Sequence, residues 1–187
     1  MRPQHDHARR IHIVGGPGSG KTTIALDLGR RLDVPTYDLD EVGYEGGAGE
    51  QRPLDARLAD VCAIAAQPGW VTEGVFLGWT DELLRAADVI LWLDVSWRVA
   101  AWRIITRHVR ASLAGTNRHP GILRLLRFLR FAMRYYHGFE AGPVVLDNDG
   151  SNSRAATSGH LKPFWGRVVH CRSADEVETF LASLPSP

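Results

Sequence analysis

Gly15-Gly16-Pro17-Gly18-Ser19-Gly20-Lys21-Thr22-Thr23 follows the apolar run Ile11-His12-Ile13-Val14 and opens a stretch in which Ile24, Ala25, Leu28 and Leu32 recur at helical spacing. A glycine-rich turn between a strand and a helix lets successive backbone N–H groups converge on one anion, and the helix adds its partial positive N-terminus. Lys21 supplies a mobile cation for β- and γ-phosphates, Thr22 a hydroxyl for Mg2+, and Thr23 a cap or packing contact in the first turn. The spacing predicts a phosphate loop over residues 15–23 that binds ATP with Mg2+.

Outward from this loop, strands alternate with helices. Thr36–Leu39 reads as a short second strand whose end carries Asp38, Asp40 and Glu41, followed by a glycine-rich loop over Tyr44–Gln51. Proline at a first helical position and Pro68-Gly69 beyond the end predict a helix over Pro53–Ala66. Trp70–Thr72 is a third strand delivering Glu73-Gly74 to its tip, Thr80 caps a short helix over 81–87, and Val89–Leu93 is a fourth strand ending at Asp94. Ser96 caps a long amphipathic helix to Leu113, residues 115–121 break it, and a second helix runs from Ile122 to Tyr136. Residues 142–165, rich in Gly, Ser and Asn, read as an insertion loop with room for a short strand at Val144–Leu146. Arg167–Cys171 is the last strand, and Ser173 with Glu176 forms a capping box for a helix through Leu184. The alternation implies an α/β fold, a parallel sheet covered on both faces. The length of 187 residues suits one domain, preceded by a flexible tail over 1–9 in which His5 and His7 are polar tail residues rather than metal ligands.

Net charge is only +1, but it is unevenly distributed. No acidic residue lies between Asp94 and Glu140, whereas Arg98, Arg103, Arg107, Arg110, Arg118, Arg124, Arg127, Arg130 and Arg134 fall inside that window. The segment is built to meet anions. No apolar stretch approaches the ~20 residues of a membrane span, and no hydrophobic segment backs the charges of the N-terminus, so the sequence predicts a soluble, cytoplasmic protein without a membrane partner. Cys62 and Cys171 lack CxxC spacing and read as buried free thiols.

The order of a phosphate loop, a strand ending in Asp, a strand ending in an acidic-Gly pair, and Val89-Ile90-Leu91-Trp92-Leu93-Asp94 before a helix with paired arginines resembles the adenylate-kinase-like small-molecule kinases. More narrowly it looks like topology modulation proteins of the FlaR type, on Leu39-Asp40, Gly69-Trp70-Val71-Thr72-Glu73-Gly74, the Trp97–Arg107 helix, and Val168-Val169-His170-Cys171-Arg172-Ser173. The resemblance implies a three-layer P-loop NTPase fold, a five-stranded parallel sheet in order 2-3-1-4-5, and ATP-dependent phosphoryl transfer. It also implies an arginine-rich helical lid over about 107–134. The chain departs from the adenylate-kinase pattern at Glu73-Gly74-Val75-Phe76-Leu77-Gly78-Trp79, where a nucleotide-specific arginine is missing, which speaks against AMP as acceptor.

Phosphoryl transfer needs charge neutralisation and in-line positioning more than covalent help from the protein. Thr22 together with an acid at a strand end would hold Mg2+; family order favours Glu73, while Asp94 is the alternative. Asp40, or Asp38, would accept a hydroxyl proton or orient the acceptor. Arg52 and Arg57 are candidates for an acceptor's anion. Arg103 and Arg107 match the family's paired lid arginines, and a closing hairpin would stabilise charge and exclude water. Trp102, Ile105, Leu125, Phe128 and Phe131 read as packing within that hairpin. The expected partners are ATP and an unidentified small-molecule acceptor. Nucleic-acid binding by the arginine hairpin, or ATP hydrolysis with no acceptor, are the competing readings. The sequence leaves the oligomeric state open.

Overall fold

Ile11, Ile13 and Val14 are buried in β1 (Arg10–Gly15), the central strand of a five-stranded sheet with parallel pairing throughout. The computed structural model describes residues 8–117, 121–138 and 152–184. In chain order the other strands are β2 (Thr36–Asp38), β3 (Trp70–Gly74), β4 (Val89–Leu93) and β5 (Val168–Cys171). The helices are α1 (Lys21–Leu32), α2 (Leu39–Gly43), α3 (Leu54–Ala65), α4 (Asp81–Ala86), α5 (Trp97–Leu113), α6 (Ile122–His137), α7 (Arg154–Leu161) and α8 (Ala174–Ala182). The strand order is β2-β3-β1-β4-β5, as the resemblance implies.

β3 and β4 are buried throughout and β1 from Ile11 onward because both faces of the sheet are covered, and β4 is a continuous apolar run. On one face Ala25 and Leu28 of α1 and Phe180 of α8 pack on Ile11, Ile13, Val71 and Leu91. On the other, Val61 and Ile64 of α3, Leu83 of α4 and Leu161 of α7 pack on Val14, Trp70, Ile90 and Trp92. This arrangement aligns Val14 with both Gly74 and Trp92, so the turn after β1 opens between the carboxyl ends of β3 and β4. Such a switch in strand order creates the crevice where open α/β sheets bind ligands.

Several expectations are corrected. The second strand stops at Asp38, because the Asp38 side chain accepts a hydrogen bond from the Asp40 N–H at 2.9 Å and caps α2. Asp40 therefore stands in a helical first turn rather than at a strand end. Within the glycine-rich stretch, Glu45–Gly47 form a 3-10 turn closed by a bridge between Tyr44 and Gln51. Thr80 does not cap α4 with its side chain; its hydroxyl donates to the Phe76 carbonyl instead.

The supposed loop 142–165 contains α7 and a 3-10 segment over Lys162–Arg167. Ser153 caps α7, and Ala156, Thr157 and Leu161 form its buried side. The candidate strand at Val144–Leu146 lies outside the described residues, as do His5, His7 and Arg118. The tail is held from Ala8 onward: Ala8 is buried, the Arg9 N–H donates to Asp88, and the Arg9 carbonyl accepts from Trp70. Cys171 is buried as expected, but Cys62 is exposed because it faces away from the sheet on α3. Among the described residues no helix is long and apolar enough to cross a membrane.

Candidate active site

The turn between β1 and α1 is built as the motif requires. Gly18 and Gly20 adopt φ of 79° and 101°, backbone that L side chains rarely adopt, and Gly20 leads directly into α1. No residue of the first turn of α1 is itself acidic, so the helix's own side chains leave its positive end open. The buried Ser19 hydroxyl has no hydrogen-bond partner among the described residues. An open helix N-terminus with an orphaned buried hydroxyl beside it fits a polyphosphate.

Lys21 bends back over this turn, with Nζ 3.4 Å from the Gly16 carbonyl oxygen and 3.9 Å from the Glu73 carboxylate. The Thr22 hydroxyl donates to the other Glu73 oxygen at 2.5 Å. The register of β1 against β3, with Val14 opposite Gly74, brings these groups together from positions 51 residues apart. Burial pushes Lys21 below the ordinary lysine range, against the attraction of Glu73, Asp40 and Asp38. It likewise pushes Glu73 above the carboxylate range, against the pull of Lys21 and the Thr22 hydroxyl. Both groups are thus short of opposite charge for their depth.

Glu73 and Asp94 have different surroundings. The buried Asp94 carboxylate accepts from Arg154 Nε at 2.6 Å and Nη2 at 2.8 Å, and pairs with His170 Nε2 at 2.8 Å. The His170 ring in turn stacks on Trp92 with centroids 4.1 Å apart. These contacts tie α7 to the ends of β4 and β5. Asp40 lines the cleft across from the phosphate loop, whereas the Asp38 carboxylate is occupied as a helix cap. Arg52 is engaged by the Val42 carbonyl and by Asp60 at 2.7 Å; Arg57 is buried, with Nε donating to the Arg52 carbonyl and its guanidinium 5.4 Å from the Trp79 ring centroid.

The arginine hairpin α5–α6 closes the opposite side. Arg103 Nη1 donates to the Ser19 carbonyl at 2.6 Å, and Arg107 is near enough to contribute to the lowering at Lys21. Arg103, Arg107, Arg110 and Arg134 line the cleft. The hairpin's own packing differs from expectation. Ile104, Leu125 and Ala132, with Leu129 and Trp97, hold the two helices together. Trp102 and Phe131 are 67% and 58% exposed, and Phe128 and Phe131 turn toward the cleft. The periodicity marks an apolar side but not which flank meets the other helix.

Two tyrosines at the base of α6 are functional candidates that sequence reasoning missed. The Tyr136 hydroxyl donates to the Pro17 carbonyl at 3.0 Å, and the Tyr135 ring presses on Gly16. Burial pushes Tyr135 up to about 12, so its hydroxyl stays protonated beside Thr157 of α7. Arg154 was hidden in the segment read as a loop. The whole cleft measures about 1470 Å³. That exceeds the ~300–1,000 Å³ of a single small-ligand pocket and suits two substrates side by side.

No family model matches the chain. A shikimate kinase from Rhodococcus jostii (strain RHA1) is 30% identical over 135 residues, spanning 64% of this chain and 79% of the relative. Among solved structures, a gluconokinase from Sinorhizobium meliloti 1021 superposes with a TM-score of 0.52 at 17% identity, over 95% of this chain and 92% of its own; at that identity the likeness is one of fold. The extent of the sequence match to the Rhodococcus relative, carried on this sheet order and phosphate loop, places the chain in the shikimate kinase-like family of P-loop small-molecule kinases, with ATP as phosphoryl donor.

Proposed function

We propose that the chain transfers the γ-phosphoryl group of ATP to a hydroxyl of a small acceptor held between the phosphate loop and α2. The carrying observation is the cluster of Lys21, Thr22 and Glu73 at the mouth of the loop, in which burial disfavours the charged form of both ionisable members. The loop amides, the α1 N-terminus and Lys21 bind the phosphates. Thr22 and Glu73 offer hard oxygens suited to Mg2+, which takes one or two protein oxygens beside phosphate and water. When bound, the ion neutralises charge on the β- and γ-phosphates.

Asp40 faces the acceptor and takes its hydroxyl proton as the acceptor oxygen bonds to the γ-phosphorus; the bond from that phosphorus to the bridging oxygen breaks and ADP leaves. Arg103 holds the loop by its carbonyl, while Arg107 supplies positive charge for the transferring group, with the 107–134 segment acting as a lid on a single domain. The narrower kinship with topology modulation proteins of the FlaR type rests on the residues quoted for it.

The test is a Mg2+ titration of ADP formation in wild type and Glu73→Gln. The assignment expects ATP to bind the variant within a few fold of wild type while the Mg2+ requirement rises and turnover falls by ~10²-fold or more. Unchanged Mg2+ dependence at full turnover would overturn it.

A further inference from the structure

The cations of the cleft are unevenly placed. Lys21, Arg103, Arg107, Arg110 and Arg134 line it from the phosphate loop and the α5–α6 hairpin. The opposite lobe, formed by α2, the turn after it and the tip of β3, presents Asp40, Tyr44, Val75 and Phe76. Arg52 and Arg57, the sequence's candidates for an acceptor's anion, flank this lobe, and the fold commits both. Arg52 bonds to the Val42 carbonyl and Asp60 and stands 3.9 Å from Glu45. Arg57 is 1% exposed, bonded to the Arg52 carbonyl and laid on Trp79, whose ring also meets Phe76 at 5.0 Å between centroids. Neither is among the described residues that line the cleft.

The rings on this side form a continuous wall. Tyr44 and Phe76 stand 6.1 Å apart at a 39° tilt, with Trp79 behind them. An aromatic wall seats an apolar body, and an adjacent carboxylate receives a hydroxyl. The cations across the cleft stand on the side that the phosphates of ATP occupy, so an anionic acceptor entering here would give up water beside Asp40 with no cation of its own lobe to receive it, and like charge at close range selects against a ligand. We propose that the acceptor is a hydroxyl compound with an apolar body and without a carboxylate or phosphate of its own. This separates the chain from its shikimate-named relative in substrate while keeping the chemistry, and it rests on the kinase reading of the cleft.

The experiment measures ADP formation from ATP with Mg2+ on two matched pairs, shikimate with its methyl ester and gluconate with glucitol, and on a set of uncharged arylalkyl alcohols. Each pair removes the charge and keeps hydroxyls in place. The proposal expects the best uncharged alcohol to exceed both acids in kcat/KM by tenfold or more, and Tyr44→Ala to raise that alcohol's KM by about tenfold. Equal or better use of shikimate or gluconate overturns it, as does a failure of every uncharged alcohol to raise ADP formation, or an unchanged KM in Tyr44→Ala. Lys21→Ala in parallel separates the two levels. Acid-stimulated turnover that still requires Lys21 removes only the substrate class, whereas turnover indifferent to Lys21 removes the kinase site itself.

Discussion

Gly16→Ala tests the junction between the phosphate loop and the arginine hairpin. Gly16 does not need a left-handed backbone, so alanine is conformationally acceptable there, and any cost must come from contact. A Cβ at this position would lie 2.3 Å and 2.5 Å from two Tyr135 ring carbons and 2.9 Å from Tyr136 Cζ. These distances are far inside van der Waals contact, and both rings are buried, so either the loop or the base of α6 must move. Overpacking of this kind costs ~1–3 kcal/mol. For a chain of 187 residues, ~2–4 °C per kcal/mol converts that to a melting temperature lower by about 2–12 °C. Because the Tyr136 hydroxyl holds the Pro17 carbonyl, the displacement reaches the phosphate cradle, and the KM for ATP should rise as well. Thermal unfolding of the single variants and of Gly16→Ala/Tyr135→Ala closes a double-mutant cycle. The expected coupling is about 1 kcal/mol or more in favour of the double variant, since removal of the ring makes room for the methyl group. Additive losses, or a Gly16→Ala protein with unchanged melting temperature and ATP KM, would refute the contact.

Arg107→Ala should lower kcat by ~10³-fold, as for an arginine acting on the transferring phosphoryl group; single-turnover kinetics would demote it to ground-state binding if only KM changed. Arg154→Ala leaves the buried Asp94 with His170 as its ion-pair partner among the described residues, and since the Arg154 side chain is 48% exposed the loss should be about 1–2 kcal/mol by urea unfolding, with no loss contradicting the tie between α7 and β4. His12, buried in β1 beside Thr72, is lowered to about 4, chiefly by burial and then by the charge of His160. The unfolded chain therefore binds the extra proton first, and stability is lost as pH falls from ~6.5 toward 4, by about 2 kcal/mol at pH 5. Urea midpoints at pH 7 and pH 5 should show this loss in wild type and a smaller one in His12→Gln; equal losses would assign acid sensitivity elsewhere.

What could be read from the chain depended on how local the cause was. The phosphate loop was legible because strand, glycines, Lys21 and helix lie within one short run, and Glu73 because the sheet order carries β3 to the side of β1. Ser96 and the Ser173–Glu176 capping box were legible for the same local reason. Asp40 lines the cleft but stands on a helix rather than at a strand end, since the cap by Asp38 ends the strand one residue early. α7 was hidden because its stability comes from burial of Ala156, Thr157 and Leu161, while Gly159 and the preceding glycine- and serine-rich composition argue for a loop. The Tyr136 contact joins residues 119 apart in sequence, and the burial of Arg57 under Trp79 is equally tertiary. Neither leaves a spacing to be read.

The most direct test of the central claim is 31P NMR of ATP with Mg2+ and an acceptor that raises ADP formation, run with wild type and Lys21→Ala. The account predicts a phosphate monoester signal growing in step with ADP in wild type and its loss by several orders of magnitude in the folded variant. Inorganic phosphate in place of the ester, or an ester formed equally well without Lys21, would contradict it.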